Sequence, residues 1–323
     1  TPVFRALKSH DPEARICCMA VPRVVPVLKC CPDVDEIIIY DEKGRHRWLW
    51  GKLKLIRQLR AAHFDIAFLL HRSWTRALLV YLGGVPERVG YDLKDLGNLL
   101  TQKVSLPEGD IHRSDYYLRV IESYGIPVKD RTTFLVPSDE ARARVKTLLE
   151  SQGIGEKDFL LVINAGGNWD LKRWPKENFA ALTGRIMNEF DLMAVIPGAA
   201  KDQETAEYIR AQSGTNPVVL AGQTSLEETF ALMERADLVV SSDSGPLHIA
   251  SSVGTATVAI FGPTRIQDTG PRGSGPSVVL RKDLDCNQEA CYELDCPDNR
   301  CMKAVSVDEA VSAVREICAC RVK

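Results

Sequence analysis

Ser241-Ser242-Asp243-Ser244-Gly245-Pro246-Leu247-His248-Ile249-Ala250 is the stretch on which the fold turns. It follows an apolar run, Ala236-Asp237-Leu238-Val239-Val240, of the kind a parallel strand buries on both faces. It enters a small, apolar run, Leu247 to Val253, that reads as a helix. Thr257-Val258-Ala259-Ile260-Phe261 reads as a second buried strand and ends in Gly262-Pro263-Thr264. Strand, small-residue turn, helix and strand make a βαβ unit. Its turn leaves backbone N–H groups free at a helix N-terminus, where the helix dipole favours an anion. Asp243 and His248 add polar side chains to that rim. Open α/β sheets bind phosphorylated ligands at such rims.

The same alternation extends in both directions. Upstream, strands are predicted over 15–20, 36–40, 65–70 and 88–91, with helices over 48–62, 73–82 and 114–124. Downstream of a break at Gln152-Gly153-Ile154-Gly155, strands are predicted over 159–164, 193–197, 217–220, 237–241 and 257–261. Helices fall between them at 176–188, 202–213 and 225–234. A capping box, Ser306-Val307-Asp308-Glu309, opens a last helix that runs toward Cys318. A chain of 323 residues exceeds what one core of roughly 250–300 residues supports, so two domains are expected, 1–155 and 156–323. The expected class is α/β: two Rossmann-like domains with parallel sheets facing a cleft. The chain opens directly into a helix start, Thr1-Pro2-Val3-Phe4-Arg5-Ala6-Leu7-Lys8. A doubly wound domain begins with a strand, so the first strand of the N-terminal domain is expected upstream of Thr1.

Charge divides the chain. Residues 1–155 carry 24 Lys+Arg against 19 Asp+Glu, net +5, and residues 156–323 carry 17 against 24, net −7. A basic first half favours an anionic partner there, though a solvated basic surface has the same signature. The overall charge of −2 speaks against nucleic-acid binding. No G-x-G-x-x-G follows a strand, which disfavours a Rossmann dehydrogenase. No apolar run approaches the ~18 residues a membrane-spanning helix needs, and no signal peptide is visible. Of ten cysteines, the adjacent pairs Cys17-Cys18 and Cys30-Cys31 lie in apolar surroundings and read as buried free thiols, which suits a reducing cytoplasm.

Three further segments carry polar chemistry. Asn164-Ala165-Gly166-Gly167-Asn168-Trp169-Asp170-Leu171-Lys172-Arg173-Trp174-Pro175 links a buried strand to a helix. Its glycines permit close backbone approach, and Lys172 and Arg173 can neutralise a diphosphate. A solvated loop with two surface cations is the alternative. His71 and Arg72 end a strand of the first domain and are candidates for the phosphates or carboxylates of an acceptor. A capped helix start at Ser73 beside a structural histidine is the plainer reading. The basic, aromatic stretch Gly44 to Arg57, with Trp48 and Trp50, reads first as an amphipathic crossover helix and second as a membrane-surface segment. Cys286, Cys291, Cys296 and Cys301 recur every five residues, a spacing wider than the usual zinc pairs, so no metal is assigned.

Together the motifs resemble glycosyltransferase family 9, the bacterial heptosyltransferases, particularly the heptosyltransferase II branch. The resemblance rests on Ser242 to Ala250 with Phe261-Gly262-Pro263-Thr264, and on Lys172-Arg173-Trp174-Pro175. Leu70-His71-Arg72-Ser73, Gly84-Val85-Pro86 and Arg88-Val89-Gly90-Tyr91 extend it into the first domain. It implies a GT-B fold and an inverting, metal-independent transfer of heptose from ADP-heptose to the inner core of lipopolysaccharide. No cofactor is implied. Lys172, Ser244 and Gly245 match residues on the donor diphosphate, and Asp243 an acid near the donor sugar. Lys172 and Asp243 are therefore the candidate catalytic groups. Arg173 and His248 complete the donor set, with Asp202 as a ribose-binding acid that competes with Glu204. The family's catalytic base is an Asp upstream of a segment like Thr1 to Leu7, so the 323-residue chain alone is expected to turn over poorly. The implied partners are an ADP-sugar and an anionic lipopolysaccharide acceptor, with peripheral contact at the cytoplasmic face of the inner membrane. Two alternatives stay open: a sugar-nucleotide epimerase of the same fold, and a nucleotide-binding protein lacking the base.

Overall fold

The computed structural model describes residues 1–93, 97–287, 290–291, 293 and 295–321. The chain divides between Arg131 and Thr132 into two units. This is earlier than the expected 155/156 break. Gln152-Gly153 ends a helix without ending a domain. That helix, Asp139–Ser151, belongs to the second unit because Arg142 forms a bidentate pair with Glu234, at 2.7 and 2.9 Å. The Leu135 N–H also donates to the Ser252 carbonyl at 2.9 Å.

In the first unit, β1 (Cys17–Ala20) pairs in parallel with β2 (Glu36–Ile39). A separate parallel sheet runs β3 (Ile66–Leu69), β4 (Glu87–Tyr91), β5 (Gln102–Val104). Among the described residues, β1 has no partner beyond β2, and β3 none beyond β4. Both strands border one apolar cavity of about 530 Å³, to which Val3, Phe4, Met19 and Phe68 contribute. Every residue of β1 and β3 is half-buried, as edge strands are. Helices complete this unit. Pro2–His10 buries Val3 and Ala6 against Leu118 and Ile121 of Arg113–Glu122. Leu49–Ala61 buries Leu55 and Leu59 against Ile38, Tyr40 and Leu79.

The second unit is one continuous parallel sheet. Its strands are β6 (Leu160–Asn164), β7 (Met193–Ile196), β8 (Val218–Val219), β9 (Leu238–Ser242), β10 (Ala256–Phe261) and β11 (Ser277–Arg281). Their order across the sheet is β11-β10-β9-β6-β7-β8. The chain therefore winds one way from β6 and the other way from β9. The topological switch point lies between these two strands, where Asn164 is in register with Ser241. All residues of β6, β9 and β10 are buried, which explains their predominantly apolar composition. Among the described residues no helix is long and apolar enough to cross a membrane.

Candidate active site

The switch point places four loops of the second unit around one cavity of about 500 Å³. Asp243 follows β9 and is 6% exposed. Its carboxylate accepts from Lys172 Nζ at 2.7 Å and from Thr264 Oγ1 at 2.7 Å, both on Oδ2. Its Oδ1 lies 3.3 Å from His248 Nε2. Burial pushes this carboxyl up, but the hydrogen bonds from His248, Lys172 and Thr264 outweigh burial and bring it to about 2. Asp243 is thus an ionised hub that fixes one cation and two neighbouring polar groups. Lys172 keeps partial exposure on the cavity side, and its ammonium lies 5.4 Å from the Trp169 ring centroid.

Ser244 is the N-cap of the helix Gly245–Ser252, and Pro246 occupies its first turn. The Ser244 side chain makes no capping bond; its hydroxyl accepts instead from Asn164 Nδ2 at 3.0 Å. Asn164 also donates to Ser241 Oγ at 2.8 Å, which ties the ends of β6 and β9 together. Gly245 is exposed, and a Cβ there would meet no protein atom within 4 Å. Its lack of a side chain is therefore not required by internal packing.

The Lys172 loop is anchored from below. The Trp174 N–H donates to Ser242 Oγ at 3.0 Å, and its indole N–H to the Val305 carbonyl at 2.9 Å. Arg173 points elsewhere than Lys172. Its guanidinium donates to the Gly167 carbonyl and lies 3.7 Å from Asp202. Asp202 is 7% exposed and accepts from the Ala199 N–H at 3.0 Å. A Cβ on Gly166 or on Gly198 would come within 3.0 Å of the Asp202 side chain, so both glycines make room for this carboxylate. Glu204, its competitor in the sequence, is exposed on the following helix and does not line the cavity.

All the donor-side candidates lie in this unit, and Lys172, Asp243, His248 and Ser244 fall around one helix start. Asn164, Ser241 and Thr264 have partnering roles that sequence reasoning did not assign. Their signal is positional: each lies at or just beyond the carboxyl end of β6, β9 or β10, which are neighbouring parallel strands.

The acceptor-side candidates lie in the first unit. His71 and Arg72 are exposed beyond the end of β3. Arg72 Nε donates to the Tyr116 hydroxyl at 2.7 Å, and its guanidinium lies 5.0 Å from that ring's centroid. Tyr116 stacks on Tyr91 with centroids 4.3 Å apart. Ser73 caps the helix Trp74–Leu82, as the plainer reading expected.

The cysteines assemble no metal centre among the described residues. Cys286 is exposed, Cys291 and Cys296 are half-buried and Cys301 is buried. Cys30, Cys31 and Cys318 are buried. Cys17 and Cys18 are only half-buried, and burial first of all pushes both thiols up to about 11.

A doubly wound unit with a cation, a helix N-terminus and a buried acid at its switch point defines a Rossmann-like α/β fold with a candidate anion site. Comparison with known proteins narrows this. Residues 52–296 match the model of glycosyltransferase family 9 (heptosyltransferase). The chain belongs to that family. It is 27% identical over 273 residues to lipopolysaccharide heptosyltransferase 3 of Escherichia coli (strain K12), covering 82% of this chain and 78% of that one. It is 27% identical over 294 residues to lipopolysaccharide heptosyltransferase 2 of Salmonella typhimurium, covering 86% and 82%. The family 9 glycosyl transferase of Veillonella parvula superposes with a TM-score of 0.86 at 25% identity, covering 98% of this chain and 92% of that one. E. coli ADP-heptose lps heptosyltransferase II superposes with a TM-score of 0.78 at 22% identity, covering 100% and 95%.

Proposed function

We propose that the protein transfers heptose from ADP-heptose to the inner core of lipopolysaccharide, with inversion at the anomeric carbon and without a metal. The observation that carries this reading is the placement of Lys172 Nζ beside the Ser244–Gly245 helix start, on the rim of one cavity. Departure of ADP concentrates negative charge on the diphosphate. A lysine ammonium and the free N–H groups of a helix start oppose that charge without rearranging. Asp243 holds Lys172 in place. Its carboxyl at about 2 makes it a poor proton acceptor for a sugar hydroxyl, so in this reading Asp243 orients and does not act as the base. Arg173 and Asp202 form the opposite wall, where Asp202 serves the ribose. His71 and Arg72 meet the acidic acceptor in the first unit. The enzyme works at the cytoplasmic face of the inner membrane, where a lipid-anchored acceptor is presented.

Calorimetric titration of ADP and UDP into the chain tests the donor assignment. ADP is expected to bind, UDP to give no heat, and Lys172→Ala to weaken ADP at least about tenfold. Binding of UDP, or ADP affinity unchanged in the variant, overturns it.

A further inference from the structure

The first unit displays tryptophan to solvent. Trp48 is 69% exposed, Leu49 69% and Trp50 78%. Residues of this type are seldom so exposed, and clustered apolar exposure marks an interaction surface. The helix Leu49–Ala61 explains the arrangement. Leu55 and Leu59 face the core, and at i, i+4 and i+7 spacing the opposite face presents Trp50, Lys54 and Arg57. From Lys43 to Arg60 the chain carries seven Lys or Arg and no Asp or Glu. The Arg47 guanidinium lies 5.2 Å from the Trp48 ring.

A second helix packs beside this one through Leu79. Trp74–Leu82 contains no acid, and Trp74 and Tyr81 are 51% and 47% exposed. Arg60 donates to the Leu82 carbonyl at 2.7 Å and joins the C-terminal ends of the two helices. Arg76, in the first turn of Trp74–Leu82, pairs with Glu42 at 3.5 Å and lies 5.6 Å from the Tyr40 ring. It thereby joins that turn to the loop leading into Trp48. Both tryptophan-bearing helix starts thus lie at one end of the unit, the end at which His71 and Arg72 leave β3.

We propose that the Trp48-Leu49-Trp50 edge, with Lys54 and Arg57, is an insertion surface for an anionic lipid bilayer. Tryptophan seats at the headgroup level, and Lys and Arg beside it meet anionic headgroups. A second copy docked on the same face would set its cations against each other. The inference deepens the membrane-face placement proposed above and names the residues that make it, and its test needs no turnover.

The full chain is sedimented with vesicles of phosphatidylcholine alone and of phosphatidylcholine mixed with phosphatidylglycerol. Binding is expected only with the anionic lipid, with a blue shift of tryptophan emission. Trp48→Ala with Trp50→Ala is expected to weaken partitioning at least about tenfold. Lys54→Gln with Arg57→Gln is expected to weaken it by a comparable, salt-dependent factor of about ten. Thermal melts of both double variants check that the exposed sites leave folding intact. Equal binding to both vesicle types, or binding unchanged in both double variants, overturns the proposal. So does a concentration-dependent dimer that the tryptophan variant abolishes, which would assign the face to a second copy. ADP titration of the same samples separates this outcome from failure of the donor-site reading.

Discussion

The two units use parallel strands very differently. In the second, β6, β9 and β10 are each flanked on both sides, and every one of their residues is buried. In the first, β1 and β3 each have one hydrogen-bonded neighbour among the described residues and border an apolar cavity. The polar residues follow the same division. Asn164, Ser241 and Asp243 are almost wholly buried and bonded to one another or to nearby loops. His71 and Arg72 are exposed and held by few partners. A closed sheet can preorganise a charged site, because buried hydrogen bonds act where water does not compete.

Hydrogen exchange offers the largest test of this contrast. Amides of β9 and β10 are expected to be protected at least roughly a thousandfold more than those of β1 and β3, since strands flanked on both sides open only with the whole unit. Equal protection would show that the apolar cavity does not weaken the first unit. Next in size is Asp243. Its folded carboxyl lies at about 2, below the ordinary 3.8, so it stabilises the fold above that ordinary value. By linkage the contribution is about 2 kcal/mol, and it disappears as pH falls from about 4 toward 2. Asp243→Asn is expected to lower stability at neutral pH and to match the parent at about pH 2. Denaturant melts across that range measure both limits, and a difference that does not change with pH would remove the ionised hub.

The sequence made the second unit legible for the reason that makes it stable. Runs such as 159–164, 237–241 and 257–261 are apolar because those strands are covered on both faces. The ends of these runs shift slightly: β9 runs one residue further, through Ser242. Gln102–Val104 and Ser277–Arg281 escaped because they are edge strands with polar or exposed residues, which lack the buried-strand signature. The three short helices Val25–Lys29, Ile266–Thr269 and Arg300–Lys303 escaped because four or five residues cannot display a helical period. The site was legible as residue types but not as a network. Lys172 and Asp243 are 71 positions apart, and Asn164 and Ser244 are 80 apart, so no local spacing reveals their bonds. The proximity of Arg173 to Asp202 was likewise illegible, because Asp202 comes from the loop after another strand. The exposed tryptophans were weighed as part of a packed helix. That helix does pack, through Leu55, Ile56 and Leu59, and not through Trp50.

Gly245 sharpens the comparison on the second unit's side. Nothing inside the protein occupies the space a side chain would take there. Gly245→Val is therefore expected to leave thermal stability nearly unchanged while weakening ADP about tenfold by blocking close approach to the helix start. A variant that loses stability and affinity together would mean that the glycine serves packing after all.

Arg72 supplies the smallest effect and the counterpart in the first unit. Its guanidinium is exposed and positioned by the Tyr116 hydroxyl and ring, so the proposed pairing with an anionic acceptor would be screened by water. Arg72→Ala is expected to raise the acceptor KM about fivefold, the scale of an exposed charge pair, with ADP affinity unchanged. Tyr116→Phe removes the hydroxyl that accepts from Nε but keeps the ring beneath the guanidinium, and should reproduce part of that loss. Steady-state kinetics with acceptor varied at saturating donor reads both variants. If Arg72→Ala weakens ADP as strongly as acceptor, the division of labour between the two units is wrong. If Tyr116→Phe matches the alanine variant in full, the hydrogen bond rather than the charge orients the acceptor.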